Sequence, residues 1–137
     1  MITAVDTSIL SDVFFDEPRF VDASLAALRT CLAEGRVVAC DVVWAESAAS
    51  FLDPDRSAQL LALAGVQFDA VSQEAAGAAG QAWRLYRARG GSRDRLIPDF
   101  LIAAHAAVQA DRLLTRDPQI AHSYFPDLEL VVPELKP

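Results

Sequence analysis

Cysteine and lysine are both scarce in this chain of 137 residues. The only two thiols, Cys31 and Cys40, form no C-x-x-C pair and have no nearby histidine, which argues against a zinc site. Two small buried residues in a reducing compartment are the simpler interpretation. The single lysine, Lys136, lies beside the C-terminus. The body of the chain therefore offers no lysine as an internal partner for a buried carboxylate.

Long apolar runs are also missing. No stretch reaches the roughly 18 to 20 residues that span a bilayer, and the first residues lack a basic segment followed by a long apolar one. We therefore expect a cytoplasmic protein without a membrane span. The length predicts one domain, residues 1–137, with one sizeable core. Hydrophobic residues make up 53% of the chain, which suggests that a second copy or another partner covers part of the surface.

Positive charge is in the minority, since 12 basic residues face 19 acidic ones and the formal net charge is -7. This balance argues weakly against indiscriminate binding to a polyanion. Five arginines nevertheless lie close together in the sequence, at Arg84, Arg87, Arg89, Arg93 and Arg95. They form the only basic cluster visible in the sequence.

Apolar segments and helical segments alternate along the chain. Short apolar segments predict strands at residues 2–5, 36–40, 65–69, 112–115 and 130–132. Amphipathic spacing and capping residues predict helices at about residues 9–15, 20–32, 42–52, 56–64, 72–89 and 100–110. This alternation predicts an α/β fold with a central, mainly parallel sheet between two helical layers. Ligands of such sheets bind beyond the carboxyl ends of the strands.

Four carboxylates lie at the edges of apolar stretches, where an ionised side chain is costly unless it is paired. They are Asp6, Glu46, Asp99 and Asp117. Asp6 follows the first predicted strand and Asp117 follows the fourth, and each also suits the N-cap of the next helix. Asp99 follows Pro98 and has the same capping alternative. Judged singly, these three aspartates leave structural and functional roles both open.

Glu46 lacks a capping explanation because it lies inside a predicted helix. Its neighbours at three and four positions along that helix are Val42, Val43, Ala49 and Ser50. We therefore expect its side chain on the apolar face, where an ionised carboxylate is costly unless a cation or hydrogen-bond donors compensate it. This position favours a functional role for Glu46.

Together the four acids favour a metal site. Clustered carboxylates raise one another's pKa values, and a hard divalent cation removes that penalty. Mg2+ or Mn2+ fits a site made of Asp and Glu oxygens, whereas zinc prefers His or Cys. A Mg2+ ion that keeps some of its waters suits phosphate esters, because it polarises the phosphoryl oxygen and orients a water molecule.

Two other classes of phosphate chemistry also place an aspartate after the first strand. Haloacid-dehalogenase-type phosphatases need a second aspartate two residues later, where this chain has Ser8, and both they and response-regulator receivers need an internal lysine. Lys136 is too near the C-terminus to serve, so both classes are disfavoured. His105 lies among alanines on a predicted helix, which indicates a packed or interface residue rather than a base.

At these acids the sequence resembles the PIN-domain ribonucleases, specifically the VapC-type toxins of prokaryotic type II toxin-antitoxin pairs. The resemblance covers essentially the whole chain. It rests on four segments in register: Val5 to Leu10, the helix with Glu46, Asp99 to Ala106, and Leu113 to Asp117.

The resemblance implies a PIN-like α/β/α sandwich that cleaves RNA with Mg2+ or Mn2+. The implied reaction is attack of a metal-activated water on a phosphodiester without a covalent intermediate. Carried over by position, Asp6, Glu46, Asp99 and Asp117 would be the catalytic acids. Asp6 and Asp99 would be the direct metal ligands, and Glu46 and Asp117 would act through water.

The resemblance also implies supporting groups and partners. Hydroxyl groups of Thr7, Ser8 and Thr115 would hold ligands or water in place. The arginine cluster from Arg84 to Arg95 would contact RNA or an acidic antitoxin segment. A homodimer and a small cognate antitoxin that blocks the site are expected. The alternative is a domain of the same fold that is catalytically silent and only binds a partner.

Overall fold

The computed structural model describes residues 1–92 and 97–135. Within these ranges the strands are β1 (Ile2–Val5), β2 (Arg36–Ala39), β3 (Val66–Phe68), β4 (Arg112–Leu114) and β5 (Glu129–Val131). They form one parallel sheet in the order β3, β2, β1, β4, β5. The short apolar segments thus form strands as predicted, with bounds that differ by at most one residue at either end.

Helices connect successive strands. Their bounds are α1 (Thr7–Phe14), α2 (Val21–Glu34), α3 (Asp41–Ala49), α4 (Pro54–Leu63), α5 (Gln73–Ala88), α6 (Ile97–Gln109) and α7 (Gln119–Tyr124). The chain adds β2 and β3 on one side of β1, then returns to add β4 and β5 on the other side. Because parallel crossovers are right-handed, this reversal puts helices on both faces of the sheet. The predicted α/β/α sandwich is confirmed.

Three helical predictions needed correction, one of them at α6, which begins at Ile97 rather than after Asp99. The helix α7 was missed because six residues directly after an Asp-Pro pair are too few to show a helical repeat of apolar positions. The helix α3 ends at Ala49, three residues before the predicted end, and α4 then begins at Pro54 with Asp53 as its N-cap. The Asp53 side chain accepts a hydrogen bond from the Asp55 backbone N–H at 2.9 Å, which fixes the start of α4.

The core occupies both faces of the central strands. Ala4 and Val5 of β1 and Leu113 and Leu114 of β4 are buried without apolar and polar alternation, as expected for a sheet covered on both sides. Both cysteines are buried, as expected from the sequence, and neither forms a disulfide. Among the described residues, no helix combines the length and the apolar character needed to cross a membrane.

A close backbone contact joins the start of β2 to β1. The Arg36 backbone N–H donates to the Met1 carbonyl oxygen at 3.0 Å. A Cβ atom on Gly35, which ends α2, would collide with that same carbonyl oxygen, so glycine is required by the close approach. This contact sets β2 beside β1 in register with Ile2 opposite Arg36.

The central strands β1 and β4 are neighbours although most of the sequence separates them. The direction in which the chain adds strands reverses between them, which makes their carboxyl ends the topological switch point of the sheet. The fold therefore opens a crevice where β1 ends at Val5 and β4 ends at Leu114.

Candidate active site

Three of the four predicted acids line one small cavity at this switch point. The cavity is bounded by Asp6, Asp99, Asp117 and Thr115, and its volume is about 30 Å3. This is enough for an ion or a water molecule. Its apolar walls come from Ile102, Ala103, Leu113, Ile120 and Ala121. The structure thus unites three carboxylates that lie far apart in the sequence.

Each of these carboxylates is placed by the end of a regular element. Asp6 directly follows β1, and its backbone N–H donates to the Leu114 carbonyl oxygen of the neighbouring strand at 2.9 Å. Asp99 lies in the first turn of α6. Asp117 follows β4 by three residues, and its backbone N–H donates to the Thr115 hydroxyl oxygen at 3.0 Å. The ends of two adjacent strands and one helix therefore form the site.

The Thr115 hydroxyl group links two of the acids. It donates to Asp6 Oδ2 at 2.7 Å while it accepts from the Asp117 backbone, and solvent does not reach it. The Ser8 hydroxyl group donates to the same Asp6 oxygen at 3.3 Å. The orientation of the Asp6 carboxylate is therefore set by two hydroxyl groups, one from each side of the switch point.

The capping alternatives explain little of this arrangement. Asp6 occupies the N-cap position of α1, but its side chain makes no capping hydrogen bond. The N-cap of α7 is Pro118 rather than Asp117. Asp99 lies inside the first turn of α6 rather than before it, where its charge also suits the helix dipole.

Burial raises the pKa of Asp6 above its ordinary value of 3.8, because the ionised carboxylate loses solvation. The negative charge of Asp117 raises this pKa further, and hydrogen bonds, chiefly from Thr115, offset the rise only in part. A carboxylate that is costly to ionise in the metal-free protein is one that a bound cation would stabilise.

This environment predicts an unusual pH dependence of stability in the metal-free protein. The folded state holds the Asp6 proton more tightly than the unfolded state, so the Asp6 contribution favours folding at low pH and is lost as the pH rises from about 3.8 through the raised pKa. We expect the stability of Asp6→Asn relative to wild type to increase with pH. Urea unfolding of both proteins in EDTA, from about pH 4 to pH 7, measures it. A difference that does not change across this series would contradict the assignment.

The predicted burial of Glu46 is wrong. The buried residues of α3 are Val43 and Ser47, and Glu46 is exposed on another side of that helix. Its carboxylate Oε1 accepts a hydrogen bond from the Thr7 hydroxyl group at 2.8 Å. Glu46 does not line the cavity, but Thr7 directly follows Asp6 and so connects Glu46 to the site.

The donor set of the cavity fits Mg2+ or Mn2+ better than a softer metal, because its polar lining consists of oxygen atoms. Among the described residues, however, no three side chains of His, Cys, Asp or Glu come close enough to form a ready metal cage. Mg2+ is usually bound through one or two carboxylates and several waters, so it does not require such a cage. The structure therefore provides suitable ligands without a preformed enclosure.

A buried ion pair beside the cavity was not predicted from the sequence. Asp12 of α1 is buried, and its carboxylate accepts from Arg116 Nε at 2.6 Å and from Arg116 Nη2 at 2.9 Å. A signal was present, since Asp12 lies three residues from both Ile9 and Phe15 on a predicted helix. An ionised carboxylate is costly at the buried Asp12, and the Arg116 guanidinium group compensates it.

The described part of the arginine cluster lies at the end of α5. Arg84 and Arg87 belong to this helix and Arg89 is its C-cap, whereas Arg93 and Arg95 lie outside the described residues. The guanidinium groups of Arg87 and Arg89 lie 5.7 Å from the Trp83 ring and 5.6 Å from the Tyr124 ring. Both of these positive groups therefore lie on aromatic faces.

The cluster lies close to the first turn of α6. The Tyr86 ring of α5 contacts the Phe100 ring at 5.3 Å, and Phe100 directly follows Asp99. The basic end of α5 therefore neighbours the helix turn that supplies one of the cavity acids.

His105 belongs to a separate network. Its Nε2 atom lies 2.9 Å from Asp69 Oδ2, and its side chain is buried in α6. Gln109 also donates to that Asp69 oxygen, at 3.1 Å, and accepts from the Ser72 backbone N–H at 2.8 Å. His105 is therefore packed as predicted, where it ties α6 to the segment after β3.

The protein is an α/β domain with a parallel sheet and a cluster of carboxylates at the switch point of that sheet. A sequence profile of the PIN domain matches residues 3–126, so the chain belongs to the PIN domain family. The membership predicted from the sequence is confirmed. Among curated proteins, none matches the sequence significantly.

Solved structures share the fold at low sequence identity. VapBC2 from Rickettsia felis, bound to a DNA fragment from its promoter, has a TM-score of 0.75 at 19% identity, over 98% of this chain and 100% of that one. VapBC-1 from nontypeable Haemophilus influenzae has a TM-score of 0.71 at 18% identity, over 96% and 98%. Mycobacterium tuberculosis VapC20, described as a sarcin-ricin loop cleaving toxin, has a TM-score of 0.59 at 15% identity, over 93% and 98%. At these identities the likeness establishes the fold alone.

Proposed function

We propose that this protein is a metal-dependent endoribonuclease of the VapC type, the toxin of a type II toxin-antitoxin system. The main support is the convergence of Asp6, Asp99 and Asp117 on one cavity at the switch point of a PIN domain. Burial, with the nearby charge of Asp117, makes the ionised form of Asp6 costly, a bound cation would offset this cost, and a nuclease of this chemistry uses one.

The residues of the site have distinct roles in this proposal. Asp6 and Asp99 hold Mg2+ or Mn2+ directly, and Glu46 and Asp117 act through water. The bound ion would supply an activated water and a positive charge near the phosphoryl oxygen. Thr115 and Ser8 orient the Asp6 carboxylate, and Thr7 holds Glu46. These hydroxyl groups limit the rotation of both acids before substrate binds.

RNA is the proposed substrate. VapC20, one of the similar structures, is described as a sarcin-ricin loop cleaving toxin. A chain with a net charge of -7 needs a local positive surface to hold a polyanion, and Arg84, Arg87 and Arg89 provide one beside the turn that contains Asp99. We assign these arginines to the RNA backbone or to an acidic antitoxin segment.

The proposed protein partners are a small cognate antitoxin and a second copy of this chain. The similar Rickettsia and Haemophilus structures are VapBC complexes. Large apolar side chains remain exposed here, among them Phe15, Leu52 and Leu63. Exposed apolar side chains such as these are available for contacts with other chains.

Metal dependence is the direct test of this function. The purified protein should cut RNA when Mg2+ or Mn2+ is present, lose this activity in EDTA, and regain it when excess Mn2+ is added. Gel analysis of a labelled RNA pool measures the cleavage. Cleavage that continues in EDTA would contradict the proposal.

The competing candidate is a catalytically silent domain that only binds a partner. It is favoured by the finding that no three ligand-type side chains in the described ranges form a ready metal cage. This candidate predicts no cleavage with either metal, together with tight binding of the antitoxin encoded beside the gene. The same assay therefore separates the two functions.

A further inference from the structure

The ion pair between Asp12 and Arg116 adjoins the proposed metal site, because Arg116 lies between the cavity residues Thr115 and Asp117. Solvent reaches only 2% of the Asp12 side chain and 30% of the Arg116 side chain. Asp12 Oδ2 also accepts from the Ser24 hydroxyl group of α2 at 2.6 Å, and the Arg116 guanidinium lies 4.0 Å from the centre of the Phe20 ring. The pair therefore joins α1, α2 and the segment after β4 at one point.

The backbone of Arg116 connects this pair to the site. Arg116 lies between Thr115, whose hydroxyl group holds Asp6, and Asp117, which lines the cavity. The Arg116 backbone N–H donates to the Ser8 hydroxyl oxygen at 3.4 Å, and Ser8 in turn donates to Asp6. A shift of Arg116 would therefore disturb both hydroxyl groups that orient the Asp6 carboxylate.

A buried ion pair of this kind adds little to the net stability of the fold. Desolvation of both charges offsets most of their attraction, and apolar replacements of buried pairs are often neutral or stabilising. What the pair does supply is geometry, because the planar guanidinium binds the carboxylate through two parallel hydrogen bonds and so sets its direction as well as its distance.

We propose that Asp12 and Arg116 are positioning residues, which hold the segment after β4 so that Thr115 and Asp117 stay aligned with Asp6 for metal binding. This inference rests on the proposed function in one respect, that the cavity binds a divalent cation. Neither residue lines the cavity.

The chain offers a matched control on the same strand. Arg112 begins β4, at the end of the strand opposite to the cavity, and its Nη2 atom donates to Glu34 Oε2 at 2.7 Å. Glu34→Gln weakens this pair, but less severely than Asp12→Asn weakens the other, because the Glu34 side chain is 46% exposed and the Asp12 side chain only 2%. The Arg112 side chain is only 9% exposed, so the control still disturbs a buried guanidinium group on β4.

The test compares Asp12→Asn, Arg116→Gln, their double variant and Glu34→Gln with wild type. Calorimetric titration with Mn2+ measures affinity, and amide hydrogen exchange measures protection of the Asp117 backbone N–H. We expect the three pair variants to lose about 10- to 100-fold in Mn2+ affinity, as seen when outer partners of metal ligands are removed. The losses should not add in the double variant. Exchange at Asp117 should accelerate in these variants, and Glu34→Gln should change neither property.

Each result is decisive. Equal losses in Glu34→Gln and Asp12→Asn would show a general effect of destabilisation and overturn the inference, as would unchanged affinity and protection in the pair variants. A wild type that binds no Mn2+ overturns the inference together with the metal dependence of the proposed function. A wild type that binds Mn2+ tightly but leaves RNA intact overturns the proposed function only.

Discussion

Asp6→Asn should abolish metal-dependent RNA cleavage while the protein stays folded. The amide keeps the shape of the side chain but removes the charge that holds the cation, so we expect a loss of about 1,000-fold or more, equivalent to about 4 kcal/mol of transition-state stabilisation. The fold should tolerate the change, because burial already disfavours the ionised form of Asp6. Cleavage rates at saturating Mn2+ and circular dichroism of the same samples measure both effects.

The control for this variant is Asp41→Asn. Asp41 also lies just beyond a strand at the same edge of the sheet, but it is exposed and does not line the cavity. Its Oδ1 atom accepts a hydrogen bond from the Val71 backbone N–H at 3.2 Å, which an amide oxygen can replace. Full activity is expected for Asp41→Asn and loss for Asp99→Asn. Equal cleavage by wild type, Asp6→Asn and Asp99→Asn would show that these two aspartates are not catalytic.

Phe100→Ala should be the most destabilising simple truncation near the site. Phe100 is fully buried, and its ring contacts those of Tyr86 at 5.3 Å and Tyr124 at 5.7 Å, so it joins α5, α6 and α7. Loss of the ring leaves a cavity among these helices, and we expect the free energy of unfolding to fall by about 3 to 5 kcal/mol. Urea denaturation measures this change.

An exposed phenylalanine provides the comparison for Phe100. Phe15 follows α1, is 50% exposed, and contacts the Phe51 ring at 5.3 Å. Its replacement by alanine should cost about 1 kcal/mol or less, because water already covers much of the ring. Similar losses for Phe15→Ala and Phe100→Ala would show that the aromatic contacts of Phe100 add nothing to stability.

The aspartates of the cavity could be found from the sequence for a simple reason. An acid within a few residues after a buried parallel strand lies at the carboxyl edge of the sheet, and strand spacing of about 4.8 Å brings such acids together when their strands are neighbours. Asp6 and Asp117 fit this rule. The sequence could not show that β1 and β4 are the neighbouring pair, since strand order depends on how the whole chain packs.

Helical faces were harder to predict than strand ends. Val42, Val43 and Ala49 made the surroundings of Glu46 look apolar, but the packing of α3 buries Val43 and Ser47 and leaves Glu46 exposed. Small apolar residues are compatible with either face of a helix, because burying an alanine contributes little. The side of α3 that faces the core is therefore set by its neighbours rather than by its own sequence.

The sequence by itself determined the α/β class, the parallel sheet and the identity of the strand-end acids, because periodicity and strand ends are local properties of the chain. The likeness to PIN domains came from its four motif segments. Only the tertiary structure decided that Thr115 holds Asp6 and that Arg116 pairs with Asp12. Each of these contacts joins residues about a hundred positions apart or more, and a contact of that range exists only after β4 has paired with β1.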